Sequence, residues 1–190
     1  MTYDIITDRE DVYFKVNFEY DREALAKIVY DIDEKNLWDG YIPPSWDESK
    51  YTINNFTAVS YRYYEDLQDM EPIKSIRDCL NFPYLDYKST QLVKFPAWNG
   101  PTIHRDTERY TAVLFPIYTT EGYVPVDFYN DKTKEIEFSV DYKDSVIFFD
   151  AKRLHASANK HEHRYSLQFD IQEPYEEVLT MMKEGRLFKC

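Results

Sequence analysis

The chain has 190 residues, enough for one domain with a substantial core. Hydrophobic residues make up 43% and aromatic ones 17%, with 18 tyrosines and 12 phenylalanines, which excludes a disordered acidic tail. A formal charge of −12 and a pI near 4.8 argue against a nucleic-acid or anionic-membrane partner held by charge.

Mean hydropathy is −0.65, and no apolar stretch approaches the roughly 20 residues that a spanning helix needs. The acidic opening MTYDIITDRE lacks the layout of a signal peptide. The two cysteines, Cys79 and Cys190, imply no disulfide framework, and Cys79 is expected to be a small buried apolar residue in a reducing cytoplasm. The four glycines, Gly40, Gly100, Gly122 and Gly185, are too dispersed for a dinucleotide fingerprint, a phosphate-cradling loop or a nucleophile elbow.

In chain order, Val12, Phe14, Val16 and Phe18 alternate with polar positions and predict a half-buried strand. Asp21 caps a predicted helix whose Leu25, Ile28, Val29 and Ile32 form one stripe. Phe56, Val59, Tyr63 and Leu67 predict a second helix, and Ile73, Ile76 and Leu80 a third, opened by Pro72 and stopped near Pro83. From residue 89 the pattern changes to strands over 90–95, 110–118, 124–129, 133–140, 145–149 and 164–171. Turn residues separate them, among them Asn99-Gly100-Pro101, Glu121-Gly122, Asn130-Asp131 and Ala158-Asn159-Lys160. A closing helix begins at Pro174, with Tyr175, Val178, Leu179 and Met182 on one face, and ends by Gly185.

Helices followed by consecutive strands predict an α+β fold and exclude the alternation of a parallel α/β sheet. An antiparallel jelly-roll-like barrel with helices on one outer face fits best. Residues 1–190 form a single predicted domain: 1–88 mainly helical support, 89–172 the β core and 173–190 the closing helix.

All four histidines lie in the β half. In His104-Arg105-Asp106, the first and third residues share a side of an extended segment, so imidazole and carboxylate can meet one metal ion. A surface pair or local hydrogen bond has the same pattern. His155 follows the apolar run 146–149, and Arg164-Tyr165-Ser166 opens the last strand. There Tyr165, Leu167, Phe169 and Ile171 share one face and would pack beneath the helices. Arg164, Ser166, Gln168 and Asp170 share the other, which would line the interior. Arg164 and Ser166 suit a carboxylate, although a solvent-facing strand with a salt bridge alternates in the same way. Two His and one carboxylate leave the far side of an ion open, as in the facial triad of non-haem Fe(II) oxygenases.

At these residues the chain resembles the Fe(II)/2-oxoglutarate-dependent dioxygenase superfamily, whose pattern is His-x-Asp, a distal His and then Arg-x-Ser. The resemblance covers about residues 89–172 and implies a double-stranded β-helix with N-terminal helices on the larger sheet. It implies iron ligation by His104, Asp106 and His155, with Arg164 and Ser166 holding the distal carboxylate of 2-oxoglutarate. The implied reaction consumes O2 and 2-oxoglutarate, releases succinate and CO2, and hydroxylates a C–H of an unidentified substrate. The run IHRDTERYTAVLFPI looks most like prolyl-hydroxylase-like or aspartyl/asparaginyl β-hydroxylase-like members. Prolyl hydroxylases generally carry Lys where Arg164 stands, and several β-hydroxylases lack the acid that Asp106 supplies. The substrate therefore stays open: a protein side chain, a free amino acid or another metabolite.

Arg109 would contact substrate or close a salt bridge with Glu108 or Asp106, and Trp98 would line a substrate pocket or serve packing. His161-Glu162-His163 lacks the following acid and later His of a cupin site, so it reads as a solvated turn. Specificity is expected in loops 36–52, 96–103 and 119–124. Two rivals remain: a non-catalytic β-barrel binding or assembly protein, and a cupin-like metal enzyme indifferent to 2-oxoglutarate.

Overall fold

Residues 5–35, 37–40, 60–62, 67–83, 85, 90–95, 103–107, 109–118, 125–157 and 163–189 are described by the computed structural model. The chain runs β1 (Ile5–Ile6), β2 (Tyr13–Val16), α1 (Arg22–Glu34), β3 (Asp39–Gly40), β4 (Ser60–Arg62), a 3-10 turn (Leu67–Asp69) and α2 (Ile73–Cys79). It continues through β5 (Thr90–Phe95), β6 (Thr111–Tyr118), β7 (Pro125–Tyr129), β8 (Ile136–Asp141), β9 (Val146–Asp150), β10 (His155–Ser157), β11 (Arg164–Ile171) and α3 (Tyr175–Lys183).

Two antiparallel sheets result. The larger has the order β1-β2-β9-β6-β11-β5-β4-β3 and the smaller β10-β7-β8. An isolated antiparallel bridge between His104 and His155 adds one more segment beside β10. Among the described residues the sheets do not join into a closed barrel.

The period of two decides what each strand buries. Ala112 and Leu114 of β6 and Ile147 and Phe149 of β9 point at Val126 and Phe128 of β7 and Val140 of β8, forming the core between the sheets. The alternate residues, Val113, Phe115 and Ile117 with Val146 and Phe148, turn outward to the helices. Tyr165, Leu167, Phe169 and Ile171 join that outer core, as their alternation predicted. Phe14 stacks on Phe148 at 4.9 Å between ring centroids, and neither is exposed. Burying aromatic rings of this size is a main source of the fold's stability.

The helices follow their stripes. The Asp21 side chain accepts from Ala24 N at 2.9 Å and starts α1, which buries Leu25, Val29 and Ile32 against the larger sheet. Helix α2 buries Ile73 and Ile76, and α3 buries Tyr175, Val178 and Met182. Gly185 ends α3 at φ 67°, a left-handed turn suited to glycine. No helix among the described residues is long and apolar enough to cross a membrane.

Four expectations need correction. The second predicted helix is replaced over Ser60–Arg62 by β4, which pairs with Ser60 opposite Lys94 and Arg62 opposite Leu92, so sheet pairing overrides a helical spacing. Leu67 is buried on the 3-10 turn, and Phe56, Val59 and Tyr63 lie outside the described residues. Strand β2 is covered on both faces, because Tyr13 packs on Phe128 and Phe138 of the smaller sheet. Residues 133–135 belong to a turn in which the Asn130 side chain accepts from Lys132 N and Thr133 N, so β8 starts only at Ile136. Cys79 is buried as expected but disulfide-bonded rather than a free thiol.

Candidate metal centre

The two histidines are brought together by backbone pairing. His104 N donates to His155 O at 3.0 Å and His155 N to His104 O at 2.9 Å. Residues paired this way across antiparallel strands project from the same face. Their rings lie 4.5 Å apart between centroids. Two residues on, Asp106 is anchored by its N–H to Ala151 O at 2.9 Å, while Lys152 Nζ donates to the carbonyls of Asp106 and Thr107 at 3.0 and 3.1 Å.

Asp106 Oδ1 lies 3.6 Å from His104 Nε2, and Oδ2 lies 3.6 Å from His155 Nε2. One ligand atom from each of the three falls within 4.8 Å of the others. His155 Nδ1 lies 2.8 Å from Arg153 O, a contact that requires the proton on Nδ1 and leaves the Nε2 lone pair facing the carboxylate. The ring is walled by Phe149 at 5.0 Å and Phe128 at 6.4 Å. Burial, reinforced by His104, pushes the His155 imidazole down to about 4, so it is neutral near pH 7. Burial alone would raise the Asp106 carboxyl, but Arg109, His104 and His155 outweigh it and hold it well below the usual carboxylate range. Two imidazoles and one carboxylate form a donor set that suits a divalent first-row metal.

Arg164 opens β11 opposite Phe95 of β5, is 2% exposed, and has its Cζ 5.2 Å from the Phe95 ring centroid. Ser166 is buried on the same face of the strand, with its Oγ 3.4 Å from the Tyr142 hydroxyl. Burial raises the Tyr142 phenol, and the Arg164 charge opposes that rise. A guanidinium this deep stays charged, so it favours an anion beside it. Sequence reasoning missed Tyr142: nothing distinguishes it among 18 tyrosines until the fold brings it to Ser166.

Arg109 resolves to salt bridges. Its Nε donates to Asp106 Oδ2 at 2.7 Å, and its Nη1 donates to Asp170 of β11. The Asp170 partnership was not anticipated, although the alternation of β11 had already turned Asp170 inward. Trp98 lies outside the described residues, as do His161, Glu162 and most of the three specificity loops. His163 is exposed.

No protein-family profile and no curated protein matches the chain by sequence. Solved structures do match, and the likeness is one of fold: it is shared with prolyl hydroxylases. Both of the similar structures that follow are prolyl hydroxylases. One, from Trichoplax adhaerens and in complex with a hypoxia inducible factor oxygen degradation domain peptide fragment, superposes with a TM-score of 0.56 at 12% identity, covering 93% of this chain and 86% of that one. The other, a Pseudomonas putida prolyl-4-hydroxylase, has a TM-score of 0.54 at 8% identity, over 80% of this chain and 86% of that one.

Proposed function

We propose that this protein is an Fe(II)- and 2-oxoglutarate-dependent oxygenase, residues 1–190 forming one oxygenase domain on a double-stranded β-helix. The observation that carries the reading is the clustering of His104, Asp106 and His155 in a fold whose strand β11 also carries the buried Arg164 on its inward face. The strand order supports the fold: β5-β11-β6-β9 are consecutive in the larger sheet, and the smaller sheet β10-β7-β8 is extended by the His104 bridge to β10.

The residues fit the groups. His104, Asp106 and His155 would hold Fe(II) on one side and leave the other for co-substrate and O2. Arg164, with the Ser166 and Tyr142 hydroxyls, would hold the distal carboxylate of 2-oxoglutarate. Bound there, the iron supplies the oxygen chemistry: one atom of O2 ends in succinate, the other in the substrate hydroxyl, and CO2 is released. The chain's own residues orient and desolvate. The Arg153 carbonyl fixes the His155 tautomer, Phe128 and Phe149 keep water from its ring, and Lys152 pins the turn after Asp106.

The substrate class we favour is an unactivated C–H of an amino-acid side chain. The Trichoplax structure holds a peptide, so a polypeptide is the first substrate to test, before free amino acids and other small metabolites.

The experiment is an anaerobic titration of the apoprotein with Fe(II) and 2-oxoglutarate, reading the visible charge-transfer band of the chelate, with Arg164→Ala alongside. A saturable band in the wild type, weakened in the variant, is expected. Iron bound with no band would leave a metal enzyme that does not use 2-oxoglutarate. No iron bound would favour a non-catalytic binding protein.

A further inference from the structure

The Asp106 carboxylate is the first link of a polar chain that crosses the interior. Arg109 Nε donates to Asp106 Oδ2 at 2.7 Å, and Arg109 Nη1 bonds Asp170 Oδ1 on β11. Asp170 also accepts from Gln91 Nε2 at 2.6 Å and Gln168 Nε2 at 3.1 Å, and Gln168 Nε2 lies 3.2 Å from Gln91 Oε1. The Arg109 side chain is 11% exposed and the two glutamines 4% each, with Asp106 at 17% and Asp170 at 21%, so water screens this chain only in part.

A guanidinium hydrogen-bonded to a metal ligand brings a difficulty. It orients the carboxylate, but it also sets a permanent positive charge beside a site that must accept a dication. Asp170 answers that charge from the opposite side, and the two glutamine amides hold its carboxylate in place. We propose that Asp170 is a positioning residue for the metal site: it neutralises Arg109, so that Asp106 can be oriented by a cation without losing its pull on a divalent metal. The inference rests on the metal-site reading of His104, Asp106 and His155. A purely structural staple between the 103–110 segment and β11 would contribute to stability and leave metal affinity alone.

The two roles separate in a titration of the full-length apoprotein with Co(II), followed by its visible absorption without 2-oxoglutarate, with thermal melts of each apo variant in parallel. Asp170→Asn is expected to weaken Co(II) binding by about 10- to 100-fold, the usual range for partners of metal ligands. Asp170→Glu, which keeps the charge, recovers most of that loss. Adding Arg109→Gln to Asp170→Asn also restores affinity, because the charge that needed an answer is gone. Glu184→Gln removes one charge from an exposed position after α3 and leaves binding within about twofold of wild type.

Asp170→Asn binding Co(II) as the wild type does, or a double variant no tighter than Asp170→Asn, would overturn the proposal while the metal site stands. A wild-type chain that takes up no Co(II) would overturn the metal reading and this inference with it. Should Asp170→Asn fail to fold, Arg109→Gln alone carries the test: binding at least as tight as wild type supports the role, and markedly weaker binding ends it.

Discussion

Replacing Asp33 by Ala removes a hub that ties α1 to the larger sheet. One carboxylate accepts from Trp38 Nε1 at 2.6 Å, from Lys94 Nζ on β5 and from the Tyr165 hydroxyl on β11. Lys94 also sits 5.9 and 5.7 Å from the centroids of the Trp38 and Tyr165 rings. Hydrogen bonds to a charged group contribute about 1.5–3 kcal/mol each when buried. The ion pair here is 19% and 26% exposed, which brings the figure to about 1 kcal/mol per bond and about 3 kcal/mol for the hub. For a chain of this length that is a fall in Tm of about 6–12 °C.

Burial pushes the Asp33 carboxyl up, but Lys94, Tyr165 and Trp38 outweigh it and hold it below the ordinary 3.8. Because the folded value is depressed, the stabilisation is fully present above 3.8 and is lost as pH falls through the folded value. Urea denaturation of wild type, Asp33→Ala, Tyr165→Phe and the double variant, at pH 7 and then stepwise into acid, would measure both effects. We expect a coupling energy near 1 kcal/mol between Asp33 and Tyr165, and a gap between the wild-type and Asp33→Ala curves that narrows toward the acid end. A loss below about 1 kcal/mol at pH 7, or a gap that persists unchanged to the acid limit, would refute the hub.

His155→Ala is expected to abolish turnover while far-UV circular dichroism stays native, since the backbone pairing with His104 needs no side chain; full activity would remove His155 from the ligand set. Phe148→Ala empties a fully buried position stacked on Phe14 and edge-on to Phe188 and should cost about 3–5 kcal/mol in chemical denaturation. A cost under about 1 kcal/mol would mean that the site collapses around the gap. Gly185→Ala meets no atom within 4 Å of the added Cβ, so its cost is the left-handed backbone alone, about 1–2 kcal/mol by thermal melt. No change would show that α3 does not end in that conformation.

What the sequence made legible was whatever depends on local period and local chemistry. The alternation of Arg164–Ile171, the Asp21 cap and the stripe of α1 all return in the structure because tertiary packing agrees with them. Strand β10 was not legible: three residues carry no period, and their extended form comes from pairing with β7. Ser60–Arg62 went the other way, a helical spacing drawn into the sheet beside β5. Around the candidate site, the three metal-binding residue types and the arginine stood out by order and spacing. The link from Arg109 to Asp170 did not, because it joins residues far apart in the chain through long side chains, and only the approach of the 103–110 segment to β11 creates it.

Strand β11 divides its two duties by parity. Odd-numbered positions from Tyr165 to Ile171 fill the outer core, while even-numbered ones from Arg164 to Asp170 furnish the interior chemistry. Mutational drift at the even positions can therefore change the polar lining between the sheets without emptying the outer core, and drift at the odd ones erodes stability without altering that lining. A single-residue deletion within the strand would exchange the two sets and forfeit both at once, so this segment should tolerate substitution far better than any change in length.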